Sequence, residues 1–203
     1  MASFFDKPSL TLLKGQSLTP ISEAEALEGK KYILVYFSAH WCPPCRVFTP
    51  KLRTFYDKCH KEKNFEVVFV SLDKTVGGMR AYMESAHGNW LALPLDQAKV
   101  IEKEWMEKYD FQSIPALFIF ENAPTEEGGE DKKGRKLVTR YGRDMLEGDP
   151  TGENFPWPNG DAEIQEHYRV LKRNLIFVTL FSIALGLWLF RLYVNIMSRN
   201  LKK

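Results

Sequence analysis

Two cysteines three positions apart, in Trp41-Cys42-Pro43-Pro44-Cys45-Arg46, are the residues of this chain best suited to chemistry. They follow an apolar run, Tyr32 to Phe37, that reads as a buried strand, and they precede a helical pattern from Val47 to about Glu62. A Cys-x-x-Cys at a strand-to-helix junction is a redox signature. The first thiol then sits at a helix N-terminus, where unpaired N–H groups and the helix dipole favour negative charge. A thiolate is the attacking species in disulfide exchange. The second cysteine, one turn on, can reach back and release a mixed disulfide. Pro43 and Pro44 suit a first helical turn, where a missing N–H costs little.

Two other uses of the pair stay open. Zinc would need two further ligands, and the candidates are Cys59, His60 and His87. Cys59 and His60 are adjacent on a helical pattern, so their side chains diverge by about 100°. A permanent structural disulfide would need an oxidising compartment, because cytosolic disulfides are usually transient and catalytic. The start, Met1 to Pro8, has neither the basic and then apolar pattern of a secretory signal nor the Arg-rich look of a mitochondrial presequence.

The elements that must position the pair alternate between strand and helix. Leu10 to Lys14 reads as a short edge strand. Thr19-Pro20 opens a helix through Leu27, with Thr19 as cap and Gly29 ending it. Tyr32 to Ser38 is the central strand, and the cysteine helix follows with Pro50 kinking it. Phe65 to Leu72 is a strand buried on both faces. Met79 to His87 is a helix, as is Asp96 to Tyr109 with Asp96 as N-cap. Ile114 to Phe120 is a strand opened by Pro115, and Leu137 to Tyr141 pairs with it as a hairpin. Glu121 to Lys136, charged and Gly-rich, is an exposed loop. The order gives an α/β fold, a mixed central sheet flanked by helices. The chain has 203 residues and a net charge of +2, enough for one domain plus an anchor and too balanced for a nucleic-acid partner.

The anchor is Leu175 to Phe190, free of charge and apolar all round apart from Thr179 and Ser182. Those two hydroxyls can bond back to their own helix. The stretch is somewhat shorter than the ~20 residues of a spanning helix, but Arg191 can snorkel and extend it toward Met197. The expected division is a domain over 1–160, a helical linker over 161–173, a transmembrane anchor over 174–197 and a short basic tail over 198–203. A span placed so late implies post-translational insertion and a domain left in the cytosol. Basic residues flank both sides, so charge gives little orientation signal. A short span suits a thinner membrane such as the endoplasmic reticulum, but a short, moderately apolar tail with a basic flank resembles tail anchors of the mitochondrial outer membrane, which is the membrane expected.

A family resemblance rests on several stretches together. Ser38-Ala39-His40-Trp41-Cys42-Pro43-Pro44-Cys45-Arg46-Val47-Phe48-Thr49-Pro50 resembles the tryparedoxin and nucleoredoxin branch of the thioredoxin superfamily. Asn64 to Phe69, Trp90 to Pro94, Ser113-Ile114-Pro115 and Asn154-Phe155-Pro156-Trp157-Pro158 match as well, and the closing Phe-Pro-Trp favours tryparedoxin. The resemblance implies a thioredoxin-like fold and a thiol–disulfide oxidoreductase. It implies no metal or prosthetic group, trypanothione as electron donor and peroxiredoxins or other disulfide proteins as acceptors. A monomer is expected. Cys42 becomes the attacking thiol and Cys45 the resolving one. Trp41, Pro43 and Pro44 border the substrate surface. Ile114 and a cis Pro115 form the opposite wall. Arg143, with Arg140 as a neighbouring alternative, faces trypanothione's carboxylates.

Two departures stand out. The family's Trp-Asp-Glu is here Leu72-Asp73-Lys74, and Lys74 would repel the amines of trypanothione. His40 replaces a small residue. Tyr36 holds the place of thioredoxin's buried acid, and Cys59 reads as a small buried hydrophobe. The alternatives to the tryparedoxin reading are a redox-dependent membrane tether of nucleoredoxin type and a reductase fed by glutathione or thioredoxin.

Overall fold

The computed structural model describes residues 11–122 and 135–200. In chain order its elements are β1 (Thr11–Lys14), β2 (Thr19–Ser22), α1 (Glu23–Ala26), β3 (Tyr32–Ser38), α2 (Pro43–Cys59), β4 (Phe65–Ser71) and α3 (Val76–Ala86). Then follow β5 (Leu91–Ala92), α4 (Leu95–Tyr109), β6 (Ala116–Glu121), β7 (Lys136–Thr139), α5 (Gly142–Gly148) and α6 (Gly160–Asn200). The chain divides into two units, Met1–Asp161 and Ala162–Lys203.

Among the described residues the strands form one mixed sheet in the order β2-β1-β5-β4-β3-β6-β7. β3 and β4 lie side by side and parallel, from Tyr32 opposite Phe65 to Ser38 opposite Ser71. Their near-continuous apolar composition fits strands covered on both faces. β6 runs antiparallel to β3, and β7 antiparallel to β6, which is the expected hairpin. Successive side chains of β3 point to opposite faces. Ile33, Val35 and Phe37 pack with Val68, Val70, Ile101, Trp105 and Phe118, on the side covered by α4. Leu34 and Tyr36 pack with Phe48, Leu52, Met79, Tyr82 and Trp90, on the side covered by α2 and α3.

Several boundaries differ from the sequence reading. Thr19-Pro20 does not open a helix. Thr19–Ser22 is strand β2, antiparallel to β1 after a turn in which Gly15 and Leu18 have φ of 56° and 55°. β2 is the edge of the sheet, where proline's missing donor removes no ladder bond. The helix starts later, capped by Ser22, whose hydroxyl accepts Glu25 N–H. Asp96 is not the cap of α4. That helix begins at Leu95 after Pro94, and Asp96 sits in its first turn, where a negative charge suits the dipole. α2 starts at Pro43 rather than Val47, and α3 at Val76 with Thr75 as cap. The short β5 and α5 are additions to the sequence reading. Leu10, most of the expected loop (123–134) and the end of the basic tail (201–203) lie outside the described residues.

The segment after α5 is fixed by one carboxylate. Asp149 accepts hydrogen bonds from the N–H groups of Glu153 and Asn154 and from Trp157 Nε1, each at 2.9 Å, and from the Thr151 hydroxyl at 3.3 Å. Within this turn Gly152 has φ 67°, and a Cβ there would meet Phe55 Cε2 at 2.5 Å. Phe155 and Trp157 then close over Phe55, with ring centroids at 5.7 and 5.8 Å. Desolvation pushes the Asp149 carboxyl up, but these hydrogen bonds outweigh it and hold it down at about 2. The folded carboxyl therefore binds its proton later than the unfolded one. Its contribution to stability is complete above the ordinary value of 3.8 and is lost as pH falls through about 2.

α6 is one helix of 41 residues, about 60 Å long at 1.5 Å per residue. Its stretch Gly160–Leu192 is long and apolar enough to cross a membrane. Leu175, Phe181 and Trp188 are 67%, 70% and 60% exposed. Thr179 and Ser182 donate to the carbonyls of Leu175 and Val178, each at 2.8 Å, so neither hydroxyl is left unpaired.

Replacing Asp149 by alanine should lower unfolding stability at neutral pH by about 2–3 kcal/mol, the scale of losing charge-assisted bonds. Urea unfolding at pH 7 and near pH 2 checks it, because the difference from wild type should shrink at the lower pH.

Candidate redox site

Sheet register gathers three loops at one end. Ser38 pairs with Ser71, and Phe37 with Ala116. The residues after β3, after β4 and before β6 therefore meet there. Ala39, Cys42 and Cys45 form a small buried cluster against Leu72 and Ile114.

Cys42 is the N-cap of α2, with extended backbone, and its Sγ accepts the Cys45 N–H at 3.3 Å. Cys42 and Cys45 are joined as a disulfide with Cα atoms 5.2 Å apart. Cys45 is fully buried, whereas Cys42 keeps 4% of its surface, so only the first cysteine of the pair borders solvent. Pro43 and Pro44 form the exposed first turn. Across from them the Ile114–Pro115 peptide is cis, and the Ile114 carbonyl oxygen lies 3.7 Å from Cys42 Sγ. Pro115 is buried and Ile114 half-buried. Trp41 is 58% exposed and is held by its indole N–H, which donates to the Leu72 carbonyl at 3.1 Å.

Asp73 ties these loops together. It is buried, and Oδ1 accepts the His40 N–H at 3.0 Å while Oδ2 accepts the Ser71 hydroxyl at 2.9 Å. The Asp73 N–H in turn donates to Ser71 Oγ. The sequence reading noted Asp73 only within a departure from the family pattern. Its role was hidden because the partners are a backbone N–H and a serine on different strand ends.

Behind Cys45 lies a buried chain of hydroxyls. Thr49 donates to the Cys45 carbonyl at 2.8 Å. Its oxygen is also in hydrogen-bond contact with Tyr36, at 2.7 Å, and with Tyr82, which reaches Ser38 at 3.1 Å. Desolvation, with Tyr82 beside it, pushes the Tyr36 hydroxyl far above the ordinary phenol range, so it stays neutral. Tyr82 was not singled out from the sequence, where it is one aromatic on a helix. His40 stacks on its ring, with centroids 5.3 Å apart. His87, packed edge-on against the same ring, is held down at about 3 by burial and is neutral.

Beside Trp41 opens a groove of about 740 Å³ lined by His40, Trp41, Arg46, Asp73, Lys74, Thr75 and Gly78. Arg143, Arg140 and Cys59 do not line this groove. Arg143 opens α5, and its Nε is 3.7 Å from Glu147 Oε2, which belongs to a carboxylate also bonded to Lys51. Arg140 binds the Tyr109 carbonyl and lies 3.5 Å from Asp161. Cys59 is half-buried, 3.7 Å from the Thr151 carbonyl, and burial pushes its thiol up. Among the described residues no three His, Cys, Asp or Glu side chains are placed to share a metal ion.

Comparison with known proteins agrees with this geometry. A thioredoxin-like family model matches residues 29–124. A tryparedoxin of Trypanosoma brucei brucei is 43% identical over 129 residues, which is 64% of this chain and 81% of that protein. The chain belongs to the tryparedoxin family. A solved tryparedoxin II complexed with glutathionylspermidine is 35% identical, with a TM-score of 0.61 over 76% of this chain and 96% of its own. Human nucleoredoxin is 37% identical over 70% of this chain but only 29% of its own length, so the likeness covers a minor part of that protein. This member of the tryparedoxin family is a thiol–disulfide oxidoreductase of thioredoxin fold that works through a disulfide.

Asp73→Ala should cost about 2–3 kcal/mol by leaving the His40 N–H and the Ser71 hydroxyl without their acceptor. It should also loosen the loop carrying Trp41. Thermal unfolding reads the first effect, and indole fluorescence of the folded variant reads the second.

Proposed function

We propose that the chain carries electrons from trypanothione to disulfide proteins such as peroxiredoxins, with Cys42 attacking and Cys45 resolving. The observation that carries this reading is a disulfide at the N-terminus of α2 in which only Cys42 borders the surface. In the reduced protein the Cys45 N–H favours a thiolate at Cys42. That sulfur attacks the target disulfide, forms a mixed disulfide and expels one target thiolate. Cys45 then attacks Cys42 Sγ, restores the intramolecular disulfide and expels the second target thiol. A donor dithiol returns the two electrons and leaves as its own disulfide. Trp41, Pro43, Pro44, Ile114 and Pro115 form the rim against which the target strand lies. Arg143 faces the donor's carboxylates. The solved relative complexed with glutathionylspermidine supports a donor of that class.

A second reading has its own support. Lys74, exposed in the groove beside Trp41, disfavours an amine-bearing donor, which suits a reductase fed by glutathione or a thioredoxin. The likeness to nucleoredoxin supports a redox-dependent membrane tether.

Residues 174–197 serve as a single-pass anchor, reached through a helical linker over 161–173. The domain, a monomer, faces the cytosol from the mitochondrial outer membrane. Anchoring raises its effective concentration toward membrane-bound disulfides.

Cys42→Ser should abolish turnover with trypanothione and a two-cysteine peroxiredoxin. Cys45→Ser should accumulate mixed disulfides through Cys42, seen as reducible adducts on non-reducing gels. Adducts through Cys45 in the Cys42→Ser protein would reverse the roles. Wild-type protein should stay with membranes after alkaline carbonate washing. A Leu180→Arg, Leu187→Arg double variant should be released, since each arginine at mid-span costs about 2.5–3.5 kcal/mol on insertion scales.

A further inference from the structure

The groove beside Trp41 has a charge pattern that the redox step does not use. Arg46 projects from the first turn of α2 and Lys74 from the loop after β4; both are exposed, and both line the groove with Trp41. Among the described residues neither has a carboxylate within ion-pairing distance. The one acid in the lining, Asp73, is 4% exposed and spends both oxygens on His40 N–H and the Ser71 hydroxyl. It therefore offers the groove little as an acceptor or as a partner for an amine. The same wall holds the start of α3, whose Thr75 cap accepts Gly78 N–H. The α3 dipole adds a partial positive charge there. Gly77 and Gly78 add no side chains to that turn. The groove thus presents two unpaired cations and a helix N-terminus beside the tryptophan that flanks the Cys42 loop.

We propose that this groove is an anion subsite that favours disulfides carrying carboxylates next to the reacting sulfur over those carrying amines there. The inference rests on the oxidoreductase reading above and specifies its substrate class. The partner chemistry is a disulfide with acidic residues or a free terminal carboxylate beside the cysteine. A small thiol and an acidic protein segment share that chemistry. Charges at a groove rim act mainly on encounter and weaken with salt.

The test uses the reduced full-length protein in detergent, oxidised in a single turnover by symmetric peptide disulfides. The peptides differ only in the residues flanking cysteine: Glu, Lys or Gln. In each reaction the two protein thiols give two electrons and two protons to the probe, so two peptide thiols appear as the Cys42–Cys45 disulfide forms. Oxidised glutathione is a fourth probe. At low ionic strength the Glu probe should react at least fivefold faster than the Lys probe, and the gap should close in 0.5 M salt. Lys74→Glu and Arg46→Gln should each reduce that ratio at least twofold. Because each protein serves as its own reference, a general loss of activity does not mimic the effect. A preference for oxidised glutathione over the Gln probe, lost in the same variants, assigns the subsite to small thiols. Its absence assigns the subsite to acidic protein segments. A wild-type ratio below fivefold, or one unchanged in both variants, overturns the subsite while the Gln probe's reaction leaves the oxidoreductase reading standing. Failure of the Gln probe itself would overturn the oxidoreductase reading and the subsite with it.

Discussion

The parallel pairing of β3 with β4 is the constraint on which the rest of the molecule depends. Two parallel neighbours, buried on both faces, can be joined only by a crossover, and here the crossover is α2. The return of the chain therefore places a helix N-terminus at the carboxyl end of β3. Cysteine at that cap has a backbone N–H to accept and a second sulfur one turn away. The antiparallel strand β6 enters at the same end, so Ile114 and Pro115 face the pair without any long-range loop. Asp73 then locks the ends of β3 and β4 together through His40 and Ser71. The redox site is the consequence of one sheet register with one buried carboxylate across it.

What lies behind the disulfide differs in kind from what lies before it. Before it are an exposed indole, two prolines and a groove carrying cations. Behind it are hydroxyls, from Thr49, Tyr36, Tyr82 and Ser38, and a neutral His87. A charged group there would have to be desolvated among Phe48, Phe69 and Met83, at high cost. Hydroxyls can satisfy one another in that space, and tyrosine rings add apolar area as well.

Much of this was readable from residue order, and the misses have physical causes. The central strands, the cysteine helix, the β6–β7 hairpin and the C-terminal apolar helix all announced themselves by continuous hydrophobicity or by a motif at a junction. The cis bond at Pro115 followed from the resemblance, because local sequence at Ile114-Pro115 is ordinary. Thr19-Pro20 misled because a proline that opens a helix and a proline on an edge strand look alike until pairing is known. β5 escaped notice because two residues carry no period. Asp149 and Asp73 organise loops through contacts with backbone N–H groups, and no pattern of side-chain types records those. Arg143 was placed by resemblance, and the structure gives it Glu147 as its ion-pair partner.

The central claim is that geometry, rather than cysteine content, makes one sulfur the nucleophile. Competitive alkylation of the reduced protein tests it most directly. The protein would be exposed to limiting iodoacetamide near neutral pH, and the labelled peptides quantified for Cys42, Cys45 and Cys59. The account predicts that Cys42 is modified at least tenfold faster than either of the others, because it alone combines a cap position with access to solvent. Equal labelling of Cys42 and Cys45, or faster labelling of Cys45 or Cys59, would contradict it.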